Sequence, residues 1–253
     1  MSDWPARLAS GARIAERVAI VVAHPDDETL WCGSLLARLD DAVLVHLTDG
    51  SPADGEDARR LGYATRDAYR DARAGELDRA LDCLGYRGER RDYGVPDKEA
   101  VDHLDAILAR LRGDLAGAAV VLTHPYEGGH PDHDAAALAV ARAASVPVVE
   151  FACYALFNGE RMFGQFVADY ARPEFSRALD DADAARVAAG LAAHGSQASV
   201  FGDWRPAAER WRDAPAYDFT QAPPGEGVLY DGFGWTLTAA RWRAVAAGAL
   251  QPA

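Results

Sequence analysis

The sequence predicts an α/β protein: a Rossmann-like, mostly parallel sheet flanked by helices, in a single domain over residues 1–253. Three observations carry that expectation. Apolar, β-branched runs of strand length recur, segments with helical period lie between them, and charged clusters stand directly behind two of the runs.

The first run, Arg17 to Ala23 (RVAIVVA), is apolar on both alternating faces, as a strand covered on two sides requires. Ala42 to Thr48 (AVLVHLT) repeats that character. Leu77, Ala80, Leu81 and Leu84 then make one helix face, ended by Gly85, and Val101, Leu104, Ile107, Leu108 and Leu111 make a second. Two more strand-like runs follow, Ala118 to Thr123 (AAVVLT) and Val146 to Cys153 (VPVVEFAC). This alternation builds βαβ units, whose crossovers are right-handed. Beyond about residue 155 the pattern weakens. The stretch 181–194 reads as a helix, and Trp204, Trp211, Trp235 and Trp242 fall in a region punctuated by Pro and Gly. That region is expected to cover the rim of the sheet rather than form a second domain.

Composition narrows the function. The formal charge of -13 repels phosphate backbones and anionic lipid, so no nucleic acid or membrane partner is expected. No apolar run is long enough to span a bilayer and the N-terminus lacks a signal-peptide pattern, which suggests a cytoplasmic protein. Cys32, Cys83 and Cys153 form no CxxC and are expected as buried, reduced thiols. Walker, GxGxxG, GxSxG and HExxH patterns are all missing from the sequence.

Ligands of open α/β sheets bind at the carboxyl ends of the strands. Behind the first run stands "AHPDDE" (Ala23 to Glu28), and behind Ala118 to Thr123 stands "THPYEGGHPDHDA" (Thr123 to Ala135), so both clusters face one rim. A catalytic zinc takes three protein ligands from histidine and carboxylate and leaves a position for water. The spacings His24-x-x-Asp27 and His130-x-x-His133 let two side chains of one turn converge on an ion. A lone HPDD also reads as a helix cap; two His/Asp clusters behind buried strands favour a metal site. The clusters supply more candidates than three ligand places need, which leaves room for a general base and an oxyanion donor. Spacing alone does not say which aspartate does which task.

The paired motifs "AHPDDE" and "GHPDH" (Gly129 to His133) resemble those of the PIG-L/LmbE-like zinc-dependent de-N-acetylases, with support from "LTDGS" (Leu47 to Ser51) and "RAGELDRALDCLG" (Arg73 to Gly85). The resemblance implies one Zn2+ per chain on His24, Asp27 and His133, and other divalent first-row metals are compatible with such ligands. It implies Asp26 as the general base toward zinc-bound water. His130 would be the imidazolium that steadies the oxyanion, with Asp132 orienting it. Arg73, Asp97 and Tyr126 would contact substrate. In mycothiol-type members a tyrosine stands two residues before the motif histidine; here that residue is Gly128.

The remaining histidines read as structural: His46 in the core or at its rim, His103 solvated, and His194 as a cation at a helix C-terminus. The expected function is hydrolysis of an N-acetyl or N-acyl group from an amino sugar or related small metabolite, releasing acetate and a free amine. The alternatives are an amidase of a larger conjugate such as a thiol adduct, and a non-catalytic, zinc-containing sugar-binding module. The expected partner is a small-molecule N-acylated substrate; an oligomer is compatible with the sequence but not read from it.

Overall fold

In the computed structural model, which describes residues 1–225 and 227–250, the charged clusters sit where two halves of a sheet diverge. The elements in order are α1 (Trp4–Ala9), β1 (Ile14–Val22), α2 (Asp27–Leu36), β2 (Leu39–Pro52), α3 (Glu56–Arg60), α4 (Arg66–Leu84), β3 (Glu89–Asp97), α5 (Leu104–Asp114) and β4 (Val120–Thr123). They continue with α6 (Pro131–Ala143), β5 (Val148–Phe151), β6 (Tyr154–Phe157), β7 (Glu160–Phe163), β8 (Phe175–Ala178), α7 (Asp181–Ala193), α8 (Ala198–Phe201), β9 (Ala208–Asp213) and α9 (Ala239–Ala249).

Seven strands form the main sheet in the order β3-β2-β1-β4-β5-β9-β8. From β3 to β5 the neighbours pair in parallel, whereas β9 and β8 join antiparallel. The chain leaves β1 toward β2 on one side and later returns to β4 on the other. That reversal creates the crevice in which open α/β sheets bind ligands.

Alternation along β1 builds both halves of the core. Val18, Ile20 and Val22 pack among Leu35, Leu84, Val187 and Trp211, while Ala19 and Val21 pack among Ile107, Leu111, Leu138 and Trp242. This is why the strand reads as continuously apolar rather than alternating. Helix α4 begins at Thr65, whose hydroxyl accepts the Ala68 N–H, and ends at Gly85 with φ 72°, a left-handed position suited to glycine.

Some expectations are corrected. Strand β3, ERRDYGVPD, is not among the runs read as strands from the sequence, because an edge strand carries charge where a central one carries Val and Ile. The C-terminal third does more than cover a rim: β8 and β9 extend the sheet itself, with Trp211 and Arg212 buried. Cys83 is exposed, since it falls outside the Leu77, Ala80, Leu81 and Leu84 face of α4. His194 is fully buried, and burial brings its pKa down to about 4, so it is a neutral ring rather than a surface cation. Among the described residues, no helix is long and apolar enough to cross a membrane.

Candidate active site

The β1 to α2 turn delivers His24, Asp26 and Asp27, and the start of α6 delivers His130, Asp132 and His133; all six are buried. Asp26 has φ 136°, which a non-glycine residue adopts only under constraint. The constraint is visible. Its N–H donates to Glu28 Oε2 at 3.1 Å, and its carboxylate accepts from Arg73 Nη2 at 2.8 Å. Burial raises the Asp26 carboxyl from the ordinary carboxylate value, against the opposing pull of Arg73.

Ligand atoms of His24, Asp27 and His133 lie within 4.8 Å of one another. His133 Nε2 stands 3.1 Å from Asp27 Oδ1, yet both nitrogens of this buried ring lack a hydrogen-bond partner. A buried ring with no partner calls for one. Two imidazoles and a carboxylate match the donor set of a catalytic divalent ion, and this trio fits it. Burial disfavours the Asp27 anion, but His133 and His124 hold its pKa well below the ordinary carboxylate value.

Two neighbouring groupings fit less well. In the set of His124, His133 and Cys153, His124 Nε2 already accepts the Ala23 N–H at 3.1 Å, and burial drives the Cys153 thiol well up. In the set of His24, Asp97, His130 and Asp132, the Asp132 carboxylate accepts from the backbone N–H of Lys98 and of Ala100, at 2.6 and 3.0 Å.

The structure revises the support roles. Asp132 Oδ2 lies 3.2 Å from His24 Nε2 but 3.9 Å from His130 Nδ1, so it braces His24 and the 98–100 segment more than His130. His130 Nδ1 accepts the Asp132 N–H at 3.2 Å as the N-cap of α6. Nδ1 is thereby the acceptor and the ring's proton is on Nε2. Burial, and then His24, lower the His130 pKa from the usual imidazole value.

The expected substrate contacts divide. Asp97 Oδ1 lies 3.0 Å from His24 Nε2, at the centre of the site rather than at its edge. Arg73 lines the cleft, but its guanidinium also donates to the carbonyls of Pro25 and Gly50, each at 2.6 Å, which ties it to the turn that carries Asp26. Tyr126 lies outside the cleft: its hydroxyl donates to Gln221 O and its ring packs on Trp242 and Phe219. Gly128, with φ 71°, has Val228 and Pro223 so close that a side chain there would collide with them.

Sequence reasoning passed over Glu28 and His46 as a pair. Register sets His46 on β2 beside Val22 of β1, and its Nε2 lies 3.1 Å from Glu28 Oε2. Burial opposes the charge on His46, but Asp92 and Glu28 hold its pKa up to about 9. The final Glu of AHPDDE was the signal; its partner lies on another strand.

A cleft of about 480 Å³ opens over His24, Asp26, Asp27, Asp97 and His130. With that geometry in place, comparison with known proteins is decisive for the family: residues 19–144 match the model described as PIG-L: GlcNAc-PI de-N-acetylase. The chain carries a PIG-L family domain. It is 34% identical over 149 residues to the 1D-myo-inositol 2-acetamido-2-deoxy-alpha-D-glucopyranoside deacetylase of Corynebacterium diphtheriae, covering 47% of this chain and 49% of that protein. A probable N-acetyl-alpha-D-glucosaminyl L-malate deacetylase 2 of Bacillus anthracis is 36% identical over 140 residues, covering 51% of this chain and 60% of its own length. The PIG-L chain thus spans about half the length of the first of these relatives. Its fold is shared with the zinc inhibited form of teicoplanin deacetylase Orf2, at TM-score 0.63 and 15% identity, over 80% of this chain and 99% of that one. It is shared as well with the A40926 pseudoaglycone deacetylase Dbv21, at TM-score 0.61 and 20% identity, over 81% of this chain and 99% of that one.

Proposed function

We propose that this chain is a zinc-dependent hydrolase that removes the N-acetyl group of a small amino-sugar derivative, with residues 1–253 acting as one unit. The convergence of His24, Asp27 and His133, with His24, Asp26, Asp27 and His130 lining one cleft, carries the reading. The names of the similar deacetylases support it.

His24, Asp27 and His133 would hold the ion. When bound, such an ion lowers the pKa of water and polarises an amide carbonyl. Asp26, which does not ligate in this assignment, accepts the proton of the attacking water. Arg73 and the Glu28 carboxylate fix it in place for that transfer. His130 offers its Nε2–H to the oxygen on which negative charge develops. The proton held by Asp26 then passes to the departing amine, and acetate and the free amine leave. Asp97 and Asp132 hold the far side of His24 and so set the ring's orientation.

Elemental analysis of the purified protein beside His24→Ala, with amine release from N-acetylglucosamine derivatives, tests the reading. One divalent ion per chain, lost in the variant together with turnover, supports it. Wild type that stays metal-free after reconstitution overturns it, and release of a carboxylate other than acetate moves it to an amidase of larger conjugates.

A further inference from the structure

Above the polar floor the cleft changes character. One wall is a chain of aromatic rings: Trp31 to Trp204 with centroids 5.2 Å apart, Trp204 to Phe163 at 5.9 Å, and Phe163 to Tyr154 at 6.1 Å. The opposite wall starts at His130, whose ring lies 5.1 Å from Trp235, and runs on to Phe233 at 4.9 Å. Arg161 bridges the two at the mouth, its guanidinium carbon 5.9 Å from the Phe163 ring and 5.7 Å from the Phe233 ring.

Several of these rings are wet. Phe163 is 37% exposed, Phe233 40%, and Val200, which lines the same cleft, 63%. Apolar side chains scattered singly over a surface need no explanation, but a contiguous set around a catalytic opening does. Some of the polar groups on this side are engaged within the protein, while Lys98 and Arg161 lie against the rings themselves. The Trp31 indole donates to Asp27, the Gln197 amide donates to Tyr69, and Arg60 pairs with Asp57.

We propose that the substrate carries an apolar aryl or alkyl group next to its N-acyl amine, and that this group is held between the Trp31–Trp204–Phe163 wall and the Trp235–Phe233 wall. The inference rests on the hydrolase reading and narrows its substrate class. Continuity fixes the occupant: His130 stands in the second wall and at the reacting centre alike, so whatever fills the slot is attached to what reacts. Withdrawing an apolar group from water between these rings favours its binding, and ring stacking adds to that.

The test uses the purified, metal-reconstituted protein. Calorimetry measures binding of methyl, phenyl and naphthyl 2-amino-2-deoxyglucosides, and amine release measures turnover of their N-acetyl forms and of N-octanoylglucosamine. We expect the aryl amines to bind about tenfold or more tighter than the methyl compound, an advantage that Trp204→Ala and Phe233→Ala each reduce at least several-fold. Trp204→Phe is expected to keep most of it, which separates lost stacking from a disturbed fold. A higher kcat/KM for the N-octanoyl probe places the group on the acyl side, and a preference for N-acetyl aryl glycosides places it on the amine side. Equal binding of methyl and aryl compounds, with no gain from the octanoyl chain, overturns the inference. Tight aryl binding without amine release from any probe upholds the apolar slot and overturns the hydrolase reading instead.

Discussion

Asp26 and Asp27 are neighbours in sequence with opposite surroundings. Asp27 faces His24 and His133, whereas Asp26 faces Arg73 on a backbone bent to φ 136°. Asp26→Asn is therefore expected to retain the metal and lose about 10²- to 10⁴-fold in kcat, while His133→Ala loses the metal; elemental analysis beside steady-state kinetics checks both. Metal loss in the first variant would mean that Asp26 is a ligand. Arg73 separates two roles in the same way. If it positions the base, Arg73→Gln lowers kcat more than it raises KM; a rise in KM alone would return it to the substrate.

At the scale of elements, the site depends on how closely the β6 hairpin seats on the motif loop. A Cβ on Gly129 would run into the Tyr154 carbonyl oxygen, which is why glycine precedes His130. Gly129→Ala is expected to destabilise the protein by about 1–3 kcal/mol, read as a lower melting temperature, and to reduce turnover by displacing His130. A variant as stable and active as wild type would show that β6 does not bear on this loop. The α6 N-terminus has a further function, because its cap contact fixes the His130 tautomer and so decides which ring nitrogen carries the proton.

The whole molecule holds a pH-dependent joint away from the cleft. Glu209 of β9 is buried and accepts from the Ser34 N–H and hydroxyl of α2, at 2.6 and 2.7 Å. Burial raises its pKa from 4.5 to about 7. Between those values the folded chain keeps a proton that the unfolded chain has released, so this group's contribution to stability falls as pH rises through the window and levels off above about 7. Urea titrations of wild type and Glu209→Gln at pH 5 and 8 should show the difference between the two shifting in favour of Gln at pH 8 by on the order of 1–3 kcal/mol. A difference that does not change with pH would mean that Glu209 is ionised throughout. Ion binding should act on the molecule too: chelation lowers the melting temperature of wild type and leaves His133→Ala unmoved.

The sequence alone determined the central strands, because burial on both faces admits only apolar residues, and it determined that two His/Asp clusters share one rim, because parallel strands end on the same side. It did not disclose β3, whose charged residues suit an edge, or the way β8 and β9 complete the sheet, since antiparallel pairing depends on partners distant in the chain. The local motif named Asp26, Asp27, His24, His130 and His133. Only the tertiary structure set Arg73 against Asp26, His46 against Glu28, Asp97 against His24, and Tyr126 outside the cleft, because each contact joins elements whose separation in sequence carries no periodic signal. The aromatic slot is the clearest case. Its rings come from α2, β6, β7, the segments after α8 and the approach to α9, and no spacing in the chain announces that they meet.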